Sequence, residues 1–142
     1  MGILKKICIS EKKGTPKKSI NESELIINFG LKNDAHAGNW HRQISILSCE
    51  VIEDFKKKGI DIPDGAFGEN LIIEGINTDS IKIGDRLKVA DSILEITQLG
   101  KECHDRCIIY NTVGDCIMPK KGIFAVVLEG SLIEEGNSVE LI

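Results

Sequence analysis

The second half of this chain is strand after strand, set by alternating apolar residues and short Gly, Asp and Asn turns. Leu87 and Val89 alternate, Ala90-Asp91-Ser92 turns, and Leu94 and Ile96 alternate back, the pattern of a hairpin with one buried face. Ile81-Lys82-Ile83-Gly84-Asp85-Arg86-Leu87-Lys88-Val89 also has an echo, Ile133-Glu134-Glu135-Gly136-Asn137-Ser138-Val139-Glu140-Leu141. Two isolated copies do not make a solenoid. They predict one turn chemistry used twice, because Gly, Asp and Asn tolerate left-handed backbone.

The first half adds to this. Ile3 to Ser10, with Ile7 and Ile9, predicts a strand, followed by a Lys/Gly/Pro loop to Lys18. Leu25 to Phe29 is a second short apolar run, Gly30 to His41 reads as a long loop, and Gln43 to Leu47 resumes a strand. A helix is expected from Ser48 to Lys58. Ser48 caps it, Glu50 suits its positive end, Val51 and Phe55 share a face, Lys56 to Lys58 suit its negative end, and Gly59 stops it. A fainter helical pattern covers Cys107 to Thr112, and Ile123 to Leu128 reads as a strand. Many short strands, one clear helix and Gly-rich turns predict a small, closed or nearly closed β-barrel, mostly antiparallel. The helix should pack outside it through Val51, Ile52 and Phe55.

A chain of 142 residues fits one domain, expected here over residues 1–142. A hydrophobic share of 42% and a charged share of 28% are ordinary for a soluble globular protein. The net charge of -4 argues against a nucleic-acid partner. The clusters Lys5-Lys6, Lys12-Lys13, Lys17-Lys18 and Lys56-Lys57-Lys58 sit mostly among acids and read as solvated surface. No apolar run is long enough for a bilayer, and the N-terminus lacks a signal-peptide core. With five cysteines, an odd number, reduced thiols in the cytoplasm are the expectation.

Reactive chemistry concentrates after Ile96-Thr97-Gln98-Leu99-Gly100, where a strand runs into Lys101-Glu102-Cys103-His104-Asp105-Arg106-Cys107. Adjacent cations stabilise thiolate, the nucleophilic form of cysteine, so Lys101, His104 and Arg106 mark Cys103 as the functional thiol. Three further loops are candidates. Asp34 to Gln43 gathers His36, Trp40, His41 and Arg42, suited to proton transfer, ligation or anion binding, or simply to hydrogen-bonding a long loop. Gly65 to Leu71 either brings backbone N–H groups to a ligand or makes a tight turn. Gly114 to Ala125 offers Cys116 with Lys120 and Lys121. Cys8 and Cys49 sit among apolar neighbours and read as packing, although a helix's first turn can lower a thiol's pKa.

His36-Ala-Gly, His41-Arg-Gln-Ile-Ser, Phe67-Gly-Glu-Asn-Leu, Ile83-Gly-Asp, Ile96-Thr-Gln with Cys103 following, and Gly122-Ile-Phe-Ala occur in this order. Together they resemble the MOSC domain, named for the C-terminal part of molybdenum cofactor sulfurases, over essentially the whole chain. The resemblance implies a β-rich barrel and a role in molybdenum–pterin chemistry. It implies that Cys103 carries sulfur as a persulfide or ligates molybdenum, and that His36, Arg42, Glu69 and Asn70 bind the molybdenum cofactor (molybdopterin). Lys101 and His104 join them as cofactor-binding candidates through their place beside Cys103. Cys107 and Cys116, extra to the family's reductase motif, become resolving thiols.

Sulfurases carry a pyridoxal-phosphate domain, for which 142 residues leave no room. The resemblance therefore implies a separate cysteine desulfurase-type sulfur donor holding that pyridoxal phosphate, or a redox partner, together with molybdoenzyme maturation proteins. A sulfur-carrier protein of cofactor maturation is the leading expectation. The alternatives are a zinc module built on Cys103, Cys107 and Cys116, and a reductase of N-hydroxylated compounds with a separate redox partner.

Overall fold

Apolar residues at every second position give each strand one apolar face, and the sheet buries that face by closing on itself. The computed structural model describes residues 2–12, 17–57, 65, 67–100 and 122–142. In chain order the elements are β1 (Gly2–Ile9), β2 (Lys18–Ile20), β3 (Glu22–Ile26), β4 (Gly30–Leu31), β5 (Ile44–Ser48), α1 (Cys49–Lys56) and β6 (Leu71–Glu74). After them come β7 (Arg86–Val89), β8 (Ser92–Leu99), β9 (Ile123–Glu129), β10 (Ser131–Glu134) and β11 (Ser138–Leu141).

Seven strands form a closed barrel in the order β11-β7-β8-β9-β5-β6-β1, and β1 meets β11 again through Gly2↔Val139 and Ile3↔Ser138. β5 and β6 run parallel, joined by a crossover that contains α1, and the other pairs are antiparallel. β2 extends β1 outside the ring, while β10, β3 and β4 make a small second sheet. The mainly β barrel, with one α-helix among the described residues, is the predicted architecture.

Ile44, Ile46, Leu94, Ile96, Ala125 and Val127 point inward into one apolar cluster, which Leu25, Leu31 and Ile133 of the small sheet join. Each fully buried aliphatic side chain contributes roughly 1.5–3 kcal/mol, so this interior is the main source of stability. The alternate residues of β5, β6 and β9 (Leu47, Ile72 and Phe124) face out and pack with Ile52 and Phe55 of α1 and with Phe67. Val51 packs against the same cluster, as expected. Phe55 meets Phe67 edge to face, with centroids 5.2 Å apart. Ser48 caps α1 by accepting from Val51 N at 3.4 Å; the expected stop, Gly59, lies outside the described residues.

The two echoed segments fold alike. Lys82 N donates to Asp85 Oδ2 (2.9 Å) and Glu134 N to Asn137 Oδ1 (2.7 Å), with Gly84 and Gly136 at φ +95 and +93. Each turn feeds a strand, and those strands, β7 and β11, pair through Val139↔Val89 and Leu141↔Leu87. The run Leu25–Phe29 divides instead. Leu25 and Ile26 end β3, Asn28 takes φ 55, and the resulting turn returns Gly30 and Leu31 to pair with Ile26 and Leu25. The expected loop thus begins with the short strand β4. The helical pattern at Cys107–Thr112 lies outside the described residues.

Candidate functional site

Polar chemistry gathers on the outer face of the barrel, where β8, β9, β5, β6 and β1 run side by side. Gln98 lies opposite Phe124, and Phe124 opposite Ser45. On the other side Ser45 N donates to Asn70 Oδ1 (3.0 Å), and Cys8 N donates to Asn70 O (2.7 Å). These residues form one row across the face, and the loops 32–43 and 65–70 are tied to it.

Asp34 is the centre of the buried part. Its Oδ1 accepts from Lys17 Nζ (2.6 Å) and Ser10 N (3.1 Å), and its Oδ2 from Asn70 Nδ2 (3.1 Å). The Lys17 and Asp34 side chains are 1% and 0% exposed, so both charges have left water and depend on each other. Removing one partner of such a pair strands the other charge. Lys17 Nζ also lies 3.0 Å from His36 Nδ1. An ammonium group only donates, so His36 Nδ1 accepts and its ring proton sits on Nε2. Lys17 corrects the expectation that the Lys17-Lys18 pair is solvated: Lys18 is exposed, but Lys17 is buried against Asp34. Nothing local in the sequence separates the two lysines.

Asn70 makes four side-chain hydrogen bonds within the protein. Its Nδ2 donates to Cys8 O and Asp34 Oδ2, and its Oδ1 accepts from Ser45 N and Oγ. Its amide is fully used in holding Asp34 and β5 together. Glu69, 1% exposed, accepts from Phe67 N through Oε1 at 3.0 Å and so shapes the same loop. Gly65 permits close approach: its φ is +86, its carbonyl accepts from Lys17 N, and a Cβ there would stand 2.1 Å from Lys17 O. Of the two readings of this loop, the tight turn is the one the backbone displays, with Gly68 N donating to Gly65 O at 3.0 Å.

The half-exposed part is built on Trp40. Its Nε1 donates to His36 O (2.9 Å), which ties it to the buried network. The Arg42 guanidinium lies 4.7 Å from the Trp40 ring centroid and 5.6 Å from that of Phe124. Arg42 Nε is buried without an acceptor, and no carboxylate pairs with Arg42 among the described residues. His41 meets Trp40 edge-on at 5.7 Å, places Nε2 2.9 Å from Gln98 Oε1, and accepts from Thr97 Oγ1 through its carbonyl. Gln43 anchors the loop, donating to Asn28 Oδ1 and accepting from Val127 N.

The structure therefore brings together His36, Arg42, Glu69 and Asn70 of the expected site and adds Lys17, Asp34, Ser45 and Gln98. Lys101, Cys103, His104, Cys107 and Cys116 lie outside the described residues. Gly100 N donates to Gly122 O (2.7 Å), so the flanks of residues 101–121 meet beside Gln98 and Phe124. Cys8 is fully buried. Cys49 has its thiol pKa pushed up, first by burial and then by the charges of Glu74, Glu50 and Glu53, which together outweigh the opposing pull of Lys5. Both behave as packing residues. Among the described residues no three His, Cys, Asp or Glu side chains group to hold a metal ion, and no helix is long and apolar enough to cross a membrane.

The sequence model of the MOSC domain matches residues 33–140. Among solved structures, the chain is similar to the YuaD protein of Bacillus subtilis, at TM-score 0.81 and 20% identity, covering 99% of this chain and 96% of that one. It is also similar to YiiM from Geobacillus stearothermophilus (TM-score 0.74, 18% identity, 100% and 75% covered). YiiM from Escherichia coli aligns at TM-score 0.70 and 17% identity, covering 100% and 70%. No curated protein matches the sequence significantly.

Proposed function

From the premise that this chain belongs to the MOSC domain family, whose function is related to the molybdenum cofactor, we propose that it binds that cofactor on the outer face at β5 and carries sulfur on Cys103. The observation that carries the reading is the buried Asp34–Lys17–His36 network beside Arg42, which has no carboxylate partner among the described residues. A buried ion pair is a poor source of stability compared with apolar packing of the same volume. Its place between two loops suits it instead to fixing the position of His36 on this face.

The residues fit an anionic, polar group. Arg42 offers terminal N–H donors with no competing carboxylate among the described residues, and His36 Nδ1 accepts from Lys17, which puts its ring proton on Nε2. Asn70, Ser45 and Glu69 hold the loops that present them. When bound, the cofactor would supply a molybdenum centre able to exchange oxygen, sulfur and electrons. Cys103 follows three residues after Gly100, with Lys101, His104 and Arg106 to favour thiolate, and soft thiolate suits either molybdenum or a persulfide. The sulfur would come from a cysteine desulfurase-type partner that holds its own pyridoxal phosphate. Attack of the Cys107 or Cys116 thiolate on the inner sulfur of the Cys103 persulfide would then form a disulfide and expel the outer sulfur as hydrosulfide to the acceptor, and an external dithiol would reduce the disulfide for the next cycle.

Incubation with a cysteine desulfurase and cysteine, followed by peptide mass mapping, tests the sulfur step. The proposal expects added sulfur on the Cys103 peptide and none in Cys103→Ser. Sulfur mainly on Cys8 or Cys49, or undiminished in Cys103→Ser, would overturn it.

A further inference from the structure

His41 stands next to Arg42 on Trp40, and among the described residues its ring meets one hydrogen-bond partner, the Gln98 amide. The Gln98 amide has a fixed orientation, because its Nε2 donates to Gly100 O at 2.7 Å. That turns Oε1 toward His41 Nε2, 2.9 Å away. An amide oxygen only accepts, so neutral His41 carries its proton on Nε2 and leaves a lone pair on Nδ1. Thr97 fixes the other end by donating Oγ1 to the His41 carbonyl, and the same hydroxyl reaches Phe124 O at 3.3 Å. His36 has the opposite assignment, with Nδ1 accepting from Lys17 and Nε2 protonated. The two histidines of one loop thus differ in which nitrogen carries the proton, each set by a different neighbour.

We infer that His41 is a ligand-contacting residue whose Nδ1 accepts a hydrogen bond beside the donors of Arg42, and that Gln98 is the positioning residue that sets its tautomer. The pair suits a ligand group that offers an anionic oxygen to the guanidinium and an adjacent O–H or N–H to the imidazole. A fully deprotonated oxyanion satisfies Arg42 alone. The inference rests on reading this face as a ligand site, but it requires neither molybdenum nor pterin.

Two inorganic ions separate these cases. At pH 8 phosphate keeps one O–H and sulfate has none, and Trp40, the single tryptophan of the chain, touches both Arg42 and His41. Titration of the full chain at constant ionic strength, followed by tryptophan fluorescence, should give saturable binding of phosphate up to about tenfold tighter than sulfate, the upper end of what one added hydrogen bond supplies. His41→Ala should bring phosphate to the level of sulfate and leave sulfate unchanged. Gln98→Leu should shrink the preference without abolishing it. Long-range 1H–15N correlation spectra should then show His41 passing from the Nε2–H tautomer in wild type to a mixture in Gln98→Leu. Equal affinity for the two ions in wild type, or a preference that survives His41→Ala, overturns the inference. So does an Nδ1–H tautomer in wild type. Any of these failures leaves sulfur loading on Cys103 untouched, so the two readings fall separately.

Discussion

The two faces of β5 solve different problems. Ile44 and Ile46 point into the barrel, where fully buried aliphatic side chains surround them. Ser45, on the opposite face, binds Asn70, which in turn holds Asp34 and with it Lys17 and His36. Both faces are shielded from water; the outer one is apolar at Leu47, against α1, but at Ser45 it meets the network that carries a buried ion pair. Burial alone therefore does not explain the outer face. Apolar contacts stabilise wherever they form, whereas an ion pair out of water stabilises only in one geometry. The interior holds the fold, and the outer face holds particular side chains in particular places.

The largest effect that separates these roles is at Asp34. Asp34→Ala should cost about 3–5 kcal/mol in urea unfolding, because Lys17 is left charged and buried. Lys17→Met/Asp34→Leu should recover most of that loss, since apolar replacement of a buried pair is often neutral. If the double variant is as unstable as Asp34→Ala, the network contributes to stability in its own right and the contrast weakens. Leu94→Ala, inside the barrel, should cost about 2–5 kcal/mol, and no partner substitution at the outer face should restore it.

That contrast also explains what could be read in advance. Strand alternation and the Gly84-Asp85 and Gly136-Asn137 turns are local patterns, so β7, β8 and β11 and their turn chemistry were visible in the residues themselves. The α1 cap at Ser48 and its buried face at Ile52 and Phe55 were visible for the same reason. The outer network was only partly visible. His36, Arg42 and Asn70 stood out by residue type, but Lys17 reaches Asp34 across 17 positions and Asn70 reaches Asp34 across 36. No local pattern encodes those pairings. Lys17 differs from Lys18 only in where the chain places it.

Smaller effects sharpen the comparison. Asp85→Ala and Asn137→Ala each remove one side-chain acceptor from matching turns and should each cost about 1 kcal/mol in thermal or urea unfolding. A large difference between them would show that the echo is one of sequence and not of energetics. The smallest effect is at Cys49. Its raised pKa means less thiolate near neutral pH than an ordinary exposed cysteine has, so its alkylation should be slow there and accelerate only as pH rises above the ordinary thiol range. Fast alkylation of Cys49 at pH 7, measured by mass mapping, would show that the helix dipole outweighs burial and the neighbouring carboxylates.

The most direct measurement compares cofactor retention by two variants that damage opposite faces of the barrel. Wild type, Lys17→Met/Asp34→Leu and Leu94→Ala would each be produced in a molybdopterin-producing host and analysed by native mass spectrometry with metal analysis. Folded wild type should retain pterin, and Leu94→Ala should retain it in proportion to its folded fraction. The folded double variant should have lost it, because the outer face no longer positions His36. Pterin retained by the double variant at the wild-type level would contradict the account and return the Asp34 network to a purely structural role.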